Sequence, residues 1–110
     1  MSQALFKDIL DTLPATDGID AIVLLDAGGE PLVRLDNKPG TAGSVRVYNA
    51  LVKRFGHIDR QAAREGLALY AEHTADARDN PGKHPNIDRL LAIAEAGAPG
   101  LRARIVLSDE

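Results

Sequence analysis

The segment Ile19–Leu25 constrains the fold most strongly, because both of its alternating sets of positions are apolar except for Asp20. A strand with two apolar faces is typical of the centre of a sheet, where both faces are covered. The turn that follows, Asp26–Glu30, contains two glycines that can supply the positive φ angles of a hairpin. Residues Leu32–Leu35 have the composition of a return strand. We therefore expect a hairpin over residues 19–35 at the heart of the sheet.

Apolar spacing predicts four helices around this hairpin. The first covers residues 5–13, with Ser2 as its cap and Pro14 as its stop, and the second covers residues 44–55, with Ser44 as its cap and Gly56 as its stop. The third covers residues 59–79. The fourth covers residues 87–96, with Asn86 as its cap and Gly97 directly after it. A last strand is expected over Leu101–Leu107, where apolar residues alternate with arginines. The order α-β-β-α-α-α-β predicts a single α+β domain over residues 1–110, with a small three-stranded antiparallel sheet packed against helices.

Composition excludes several classes of protein. Hydrophobic residues make up 45% of the chain and charged residues 26%, so a core can form and intrinsic disorder is excluded. The absence of cysteine excludes disulfides and zinc fingers. No apolar run approaches the ~20 residues of a membrane span, and no cationic leader is evident, so we expect a cytoplasmic protein. A net charge of -3 with few aromatic residues argues against nucleic-acid binding.

Two loops share an unusual composition. The first, Asn37–Gly40, and the second, Asn80–Asn86, each combine Asn, Pro, Gly and Lys and each leads into a helix. Because a helix N-terminus attracts anions, Lys38 and Lys83 beside two such termini indicate a site for phosphate or carboxylate. The alternative is that both loops are ordinary tight connections with solvated lysines.

His73 falls in the apolar arc when residues 59–79 are placed on a helical wheel. It could be a half-buried histidine bonded to a backbone carbonyl, or a neutral imidazole lining a pocket as a ligand or general base. We expect the anion site to include Lys38, Ser44, His73, Arg78, Lys83, His84 and Asn86. His73 is the candidate catalytic residue.

The sequence does not predict a metal site or a cofactor. The three histidines, His57, His73 and His84, form no HExxH motif or i, i+4 pair, and Glu72 and Asp76 face away from His73 on the wheel. A Ser/His/Asp triad is also disfavoured, because neither Ser44 nor Ser108 lies in a nucleophile elbow.

Several blocks of sequence resemble a family of short bacterial proteins of unknown function. The blocks are Asn37–Gly40 with Gly43-Ser44, Val47–Leu51, Gly66-Leu67 with Leu69–Thr74, and Pro81–Leu90. The resemblance spans nearly the whole chain and implies a bacterial cytoplasmic protein, with no activity to carry over. A second likeness, of residues 5–36, is to the opening of roadblock-type dimerisation domains, which continue with further strands where this chain is expected to form helices.

Three functions are consistent with these features. The first is a binding or regulatory module that holds an anionic small molecule between the two Pro-Gly loops. The second is a small enzyme that uses the same cleft, with His73 as general base and Lys83 or Arg78 stabilising developing charge. The third is a structural homodimer joined through an edge strand of the sheet.

Overall fold

The computed structural model describes residues 5–108 and contains five helices and three strands in that range. In chain order they are α1 Phe6–Leu10, β1 Ile19–Leu25, β2 Pro31–Asp36, α2 Ala42–Phe55, α3 Arg60–Tyr70, α4 Glu72–Asp79, α5 Pro85–Glu95 and β3 Arg102–Leu107. The predicted α+β class, hairpin and final strand are confirmed. The helix α1 is shorter than expected, and the proposed Ser2 cap lies outside the described residues.

The sheet has the strand order β2-β1-β3, and both pairs are antiparallel. The strand with two apolar faces therefore occupies the centre, as its sequence predicts. All four helices α2–α5 follow β2 before β3 completes the sheet.

The two faces of the sheet are covered in different ways. Ile22 and Leu24 on β1 are buried in the main core with residues of α2, α3 and α5. Val23 points to the other face and is only 6% exposed, yet it is not part of that core. Its cross-strand partners are Arg34 on β2 and Arg104 on β3, which share its face. Val23 is therefore flanked on this face by an arginine from each edge strand.

Helix α3 packs closely against its neighbours because it carries a glycine. A Cβ atom at Gly66 would lie 2.7 Å from Leu90 Cδ1 and 2.9 Å from Leu51 Cδ1. Both leucines are fully buried, one on α5 and one on α2. The absence of a side chain at Gly66 therefore lets α3 pack closely against both α2 and α5.

The segment predicted as one helix over 59–79 consists of two helices, α3 and α4, which meet at Ala71. Ala71 has φ 53° and ψ -120°, outside the helical region. The break leaves the Leu67 carbonyl to accept a hydrogen bond from Thr74 Oγ1 at 2.6 Å. No glycine or proline marks this position, so the helical wheel drawn across it does not give the true directions of the side chains after residue 71.

Candidate functional site

Both Pro-Gly loops open onto one cleft of about 350 Å³. The first loop contributes Gly40 and Thr41, and the second contributes residues 83–86. Helices α2 and α5 begin directly after these loops, so their N-termini lie at the same cleft. The other lining residues are Phe6, Gly43, Ser44, Tyr70, His73 and Ile87.

Backbone contacts set the start of each helix at the cleft. Thr41 is the N-cap of α2 and His84 is the N-cap of α5, so the predicted caps Ser44 and Asn86 are wrong by two or three residues. The helix α2 starts early because the Lys38 carbonyl accepts hydrogen bonds from the two residues that begin it. In α5, Pro85 takes the first position, where its fixed φ suits a helix. Ser44 and Asn86 therefore lie in the first turns rather than at the caps.

The first turns of the two helices present unused backbone donors. Within residues 5–108, the N–H groups of Gly43, Ser44 and Asn86 have no hydrogen-bond acceptor. All three residues line the cleft. Such donors, together with the helix dipoles, favour a negatively charged group.

Lys83, His84 and Asp76 form a polar cluster at the rim. The Asp76 Oδ2 atom lies 2.6 Å from His84 Nε2 and 3.0 Å from Lys83 Nζ. The hydrogen bond from His84, followed by the contact with Lys83, lowers the pKa of Asp76 to about 2. Asp76 is therefore ionised at neutral pH and orients the His84 ring, whose other nitrogen has no partner among the described residues.

An aromatic wall closes one side of the cleft. The Phe6 ring stacks on Tyr70 with centroids 5.2 Å apart and meets the His73 ring edge-on at 5.1 Å. His73 in turn lies 5.8 Å from the His84 ring. The Phe6 N–H donates to Glu72 Oε1 at 2.7 Å, which anchors the short helix α1 and lowers the pKa of Glu72. The wall offers a planar apolar surface next to the polar groups.

The hydroxyl of Ser44 is held in place by Tyr70. Tyr70 Oη donates a hydrogen bond to Ser44 Oγ at 2.7 Å. Burial raises the pKa of Tyr70, so the phenol keeps its proton and remains the donor. The Ser44 hydroxyl proton is then available to an acceptor in the cleft.

The structure brings together five of the seven residues predicted for the site. These are Ser44, His73, Lys83, His84 and Asn86. Lys38 does not line the cleft, although its carbonyl shapes the start of α2. Arg78 forms a two-point ion pair with Glu95 on α5, at 2.6 and 2.7 Å, and is absent from the lining. His73 is half-exposed at the cleft wall.

Sequence reasoning missed Phe6, Tyr70 and Asp76. The two aromatic residues fit apolar helical stripes, and nothing in the pattern distinguishes a cleft wall from a core position. Asp76 was placed on the side away from His73 by a wheel that assumed one continuous helix. The sequence did contain a signal for this contact. Asp76 lies one turn before the end of the predicted helix, and His84 lies in the loop that follows.

Within residues 5–108, no group of three or more His, Cys, Asp or Glu side chains is arranged to hold a metal ion. The third histidine, His57, pairs with Asp59 at the start of α3. Its Nε2 atom lies 3.3 Å from Asp59 Oδ2. None of the helices in this range is long and apolar enough to cross a membrane.

Comparison with curated proteins and with solved structures finds no match to this chain. A family described as an uncharacterized protein conserved in bacteria (DUF2322) matches residues 6–104. That range includes both Pro-Gly loops and every residue that lines the cleft. The resemblance to a bacterial family of unknown function is confirmed. The chain belongs to this family of uncharacterized bacterial proteins.

Proposed function

We propose that the chain is a small binding module of the bacterial cytoplasm that holds an anionic group, phosphate or carboxylate, in the cleft between the two Pro-Gly loops. The observation that carries this proposal is the meeting of two helix N-termini at one cleft, beside Lys83 and His84. Backbone donors, a hydroxyl and a cation meet there from two segments of the chain, the start of α2 and the loop that leads into α5.

The site would hold the anion through complementary donors. The N–H groups of Gly43, Ser44 and Asn86 bind its oxygens, and Lys83 supplies charge. Lys83 is 59% exposed and paired with Asp76, so it can turn from that carboxylate toward a ligand. Asp76 keeps His84 oriented. The volume of the cleft exceeds the needs of inorganic phosphate alone, so the anionic group is proposed to be part of a larger molecule.

Calorimetric titration of the full chain with inorganic phosphate tests this proposal, with Lys38→Ala as the matched control for Lys83→Ala. Removing a charge-assisted contact should weaken binding about tenfold in Lys83→Ala. Lys38→Ala should change binding much less, because Lys38 does not line the cleft. Neither change should alter the thermal midpoint much, since exposed lysines contribute little to stability. Equal binding by Lys83→Ala and the parent contradicts the proposal.

An enzymatic role is a second candidate, favoured by the 2.6 Å contact between Asp76 and His84. A carboxylate that orients an imidazole is a common acid–base arrangement, and it points to His84 at least as much as to the predicted His73. Turnover of phosphate monoesters or carboxylic esters that is lost in His84→Gln would support this role. No turnover by the parent chain would remove it.

A homodimer joined through an edge strand is the third function that we propose as an alternative. The strands β2 and β3 are both at the edges of the sheet. Leu32 on β2 and Leu107 on β3 are large apolar side chains left exposed there. Unpaired edges of this kind can pair with a second copy. A sedimentation measurement that finds only an 11.7 kDa particle at high concentration would contradict the dimer.

A further inference from the structure

One carboxylate at the rim of the cleft is shared by two groups. The Asp76 Oδ2 atom lies 3.0 Å from Lys83 Nζ and 2.6 Å from His84 Nε2. Both of these partners line the cleft, whereas Asp76 does not. The pKa of Asp76 is lowered to about 2, so the carboxylate is ionised and only accepts hydrogen bonds. The neutral His84 ring therefore carries its hydrogen on Nε2 and leaves Nδ1 without one.

The Nδ1 atom of His84 can gain a proton from solvent. Within residues 5–108 it has no hydrogen-bond partner, and it is not among the buried polar atoms that lack one. The side chain as a whole is 25% exposed. A proton on Nδ1 makes the ring an imidazolium, in which both nitrogens are donors. The ring can therefore become positively charged without giving up its contact with Asp76.

The balance of charge at the rim decides when that proton binds. The charges of Asp76 and Lys83 cancel each other in the ion pair. His84 is also the N-cap of α5, where the helix dipole disfavours a positive charge. An anion in the cleft changes this balance, because it lies beside the same ring and favours its charged form. A bound anion and a protonated His84 therefore stabilise each other.

We propose that the cleft takes up a proton from solvent, at Nδ1 of His84, when it binds its anion, so that binding strengthens as the pH falls. The inference rests on the proposed anion site and adds its regulation. Linkage between two binding events is reciprocal, so conditions that protonate His84 also raise the affinity for the anion. Because histidine changes its charge near neutral pH, the module would respond to modest changes in acidity.

One other group at the cleft competes for the proton. The charged or titratable groups on the elements around His84 are Glu72, His73 and Asp76 on α4, Lys83 in the loop, Tyr70 on α3, and Asp88 and Arg89 on α5, while α1 and α2 line the cleft with Phe6, Gly43 and Ser44. Of these residue types only histidine ordinarily changes its charge between about pH 6 and about pH 8. The competitor is therefore His73, whose Nε2 atom lies 4.0 Å from Glu72 Oε2. The geometry favours His84, because its carboxylate partner is closer, at 2.6 Å.

Sulfate is the probe, because it keeps its charge near neutral pH whereas inorganic phosphate itself titrates there. Calorimetry of the full chain, in two buffers of different ionisation enthalpy, measures both the affinity and the protons taken up. The parent should take up protons and bind sulfate about tenfold more tightly at about pH 6 than at about pH 8. His84→Gln keeps a donor for Asp76 but gains no proton, so its binding should not depend on pH. The matched control is His57→Gln, at an exposed histidine beside Asp59, which should behave as the parent does.

Imidazole NMR of the parent identifies the ring that gains the proton without any substitution. At about pH 7, sulfate should move the His84 signals toward those of an imidazolium and leave the His57 signals unchanged. Three outcomes would overturn the inference while the anion site stands: sulfate binding without proton uptake, protonation of His73 alone, or a pH dependence that persists in His84→Gln. If neither sulfate nor phosphate binds at either pH, the proposed function and this inference fail together.

Discussion

Tyr48 Oη donates a hydrogen bond to the Asn86 carbonyl at 2.6 Å and accepts one from Arg89 at 3.1 Å. It thereby holds the first turn of α5, where Asn86 lines the cleft, and it positions the Arg89 side chain. Burial raises the pKa of Tyr48 to about 12, although the charge of Arg89 acts in the opposite direction. One neutral phenol in the core therefore supports the geometry of the proposed anion site.

This burial predicts how the folded protein responds to alkali. The folded state holds the Tyr48 proton more tightly than the unfolded state does, so this contribution to stability is complete below pH 10.0 and is lost as the pH rises toward about 12. For a buried group such a shift corresponds to roughly 3 kcal/mol. Ultraviolet absorbance of the two tyrosines, recorded with circular dichroism, should show no phenolate near pH 10.0 while the fold persists. Phenolate formed there without loss of helix would contradict this prediction.

At the scale of elements, the break between α3 and α4 determines the composition of the cleft. Ala71 adopts a positive φ that is unfavourable for any residue with a Cβ atom. The break turns α4 so that Asp76 reaches His84 and His73 reaches Phe6. A straight helix over 59–79 would send these side chains in other directions. The strained residue is thus tied to the arrangement of the site.

We therefore expect Ala71→Gly to raise the free energy of unfolding by about 1 kcal/mol, because glycine removes the strain at this φ. The control is Ala68→Gly, at an exposed position inside α3, which should lower the free energy of unfolding by about 1 kcal/mol. Urea unfolding followed by circular dichroism measures both changes. If both variants lose similar stability, Ala71 is not strained and α3 and α4 form one helix in solution.

At the scale of the whole molecule, the sequence predicted the features that depend on local chemistry. The apolar faces of Ile19–Leu25 located the central strand, and the glycines after it located the hairpin turn. The shared composition of the two Pro-Gly loops pointed to two helix N-termini, which do lie at one cleft. The strand, the turn and the two helix starts each follow from residues close together in the chain, whereas the meeting of the two loops at one cleft depends on how α2 and α5 pack.

What the sequence could not predict depends on contacts between distant segments. The helix break at Ala71 carries no glycine or proline signal. The pairing of Arg78 with Glu95 removes Arg78 from the site through a contact 17 residues apart. The caps of α2 and α5 are set by the backbone of Lys38 and by Pro85, so the capping preferences of Ser44 and Asn86 were misleading.

The most direct test of the anion site is the response of individual amides to inorganic phosphate, measured by heteronuclear NMR of the full chain. The account predicts large, saturable shifts at the N–H groups of Gly43, Ser44 and Asn86, because these donors would gain a charged acceptor. The N–H groups of Gly28 and Glu30, already bonded to Asp26, serve as internal controls and should not move. Shifts absent from the three cleft amides, or equal at the two control amides, would contradict the central claim.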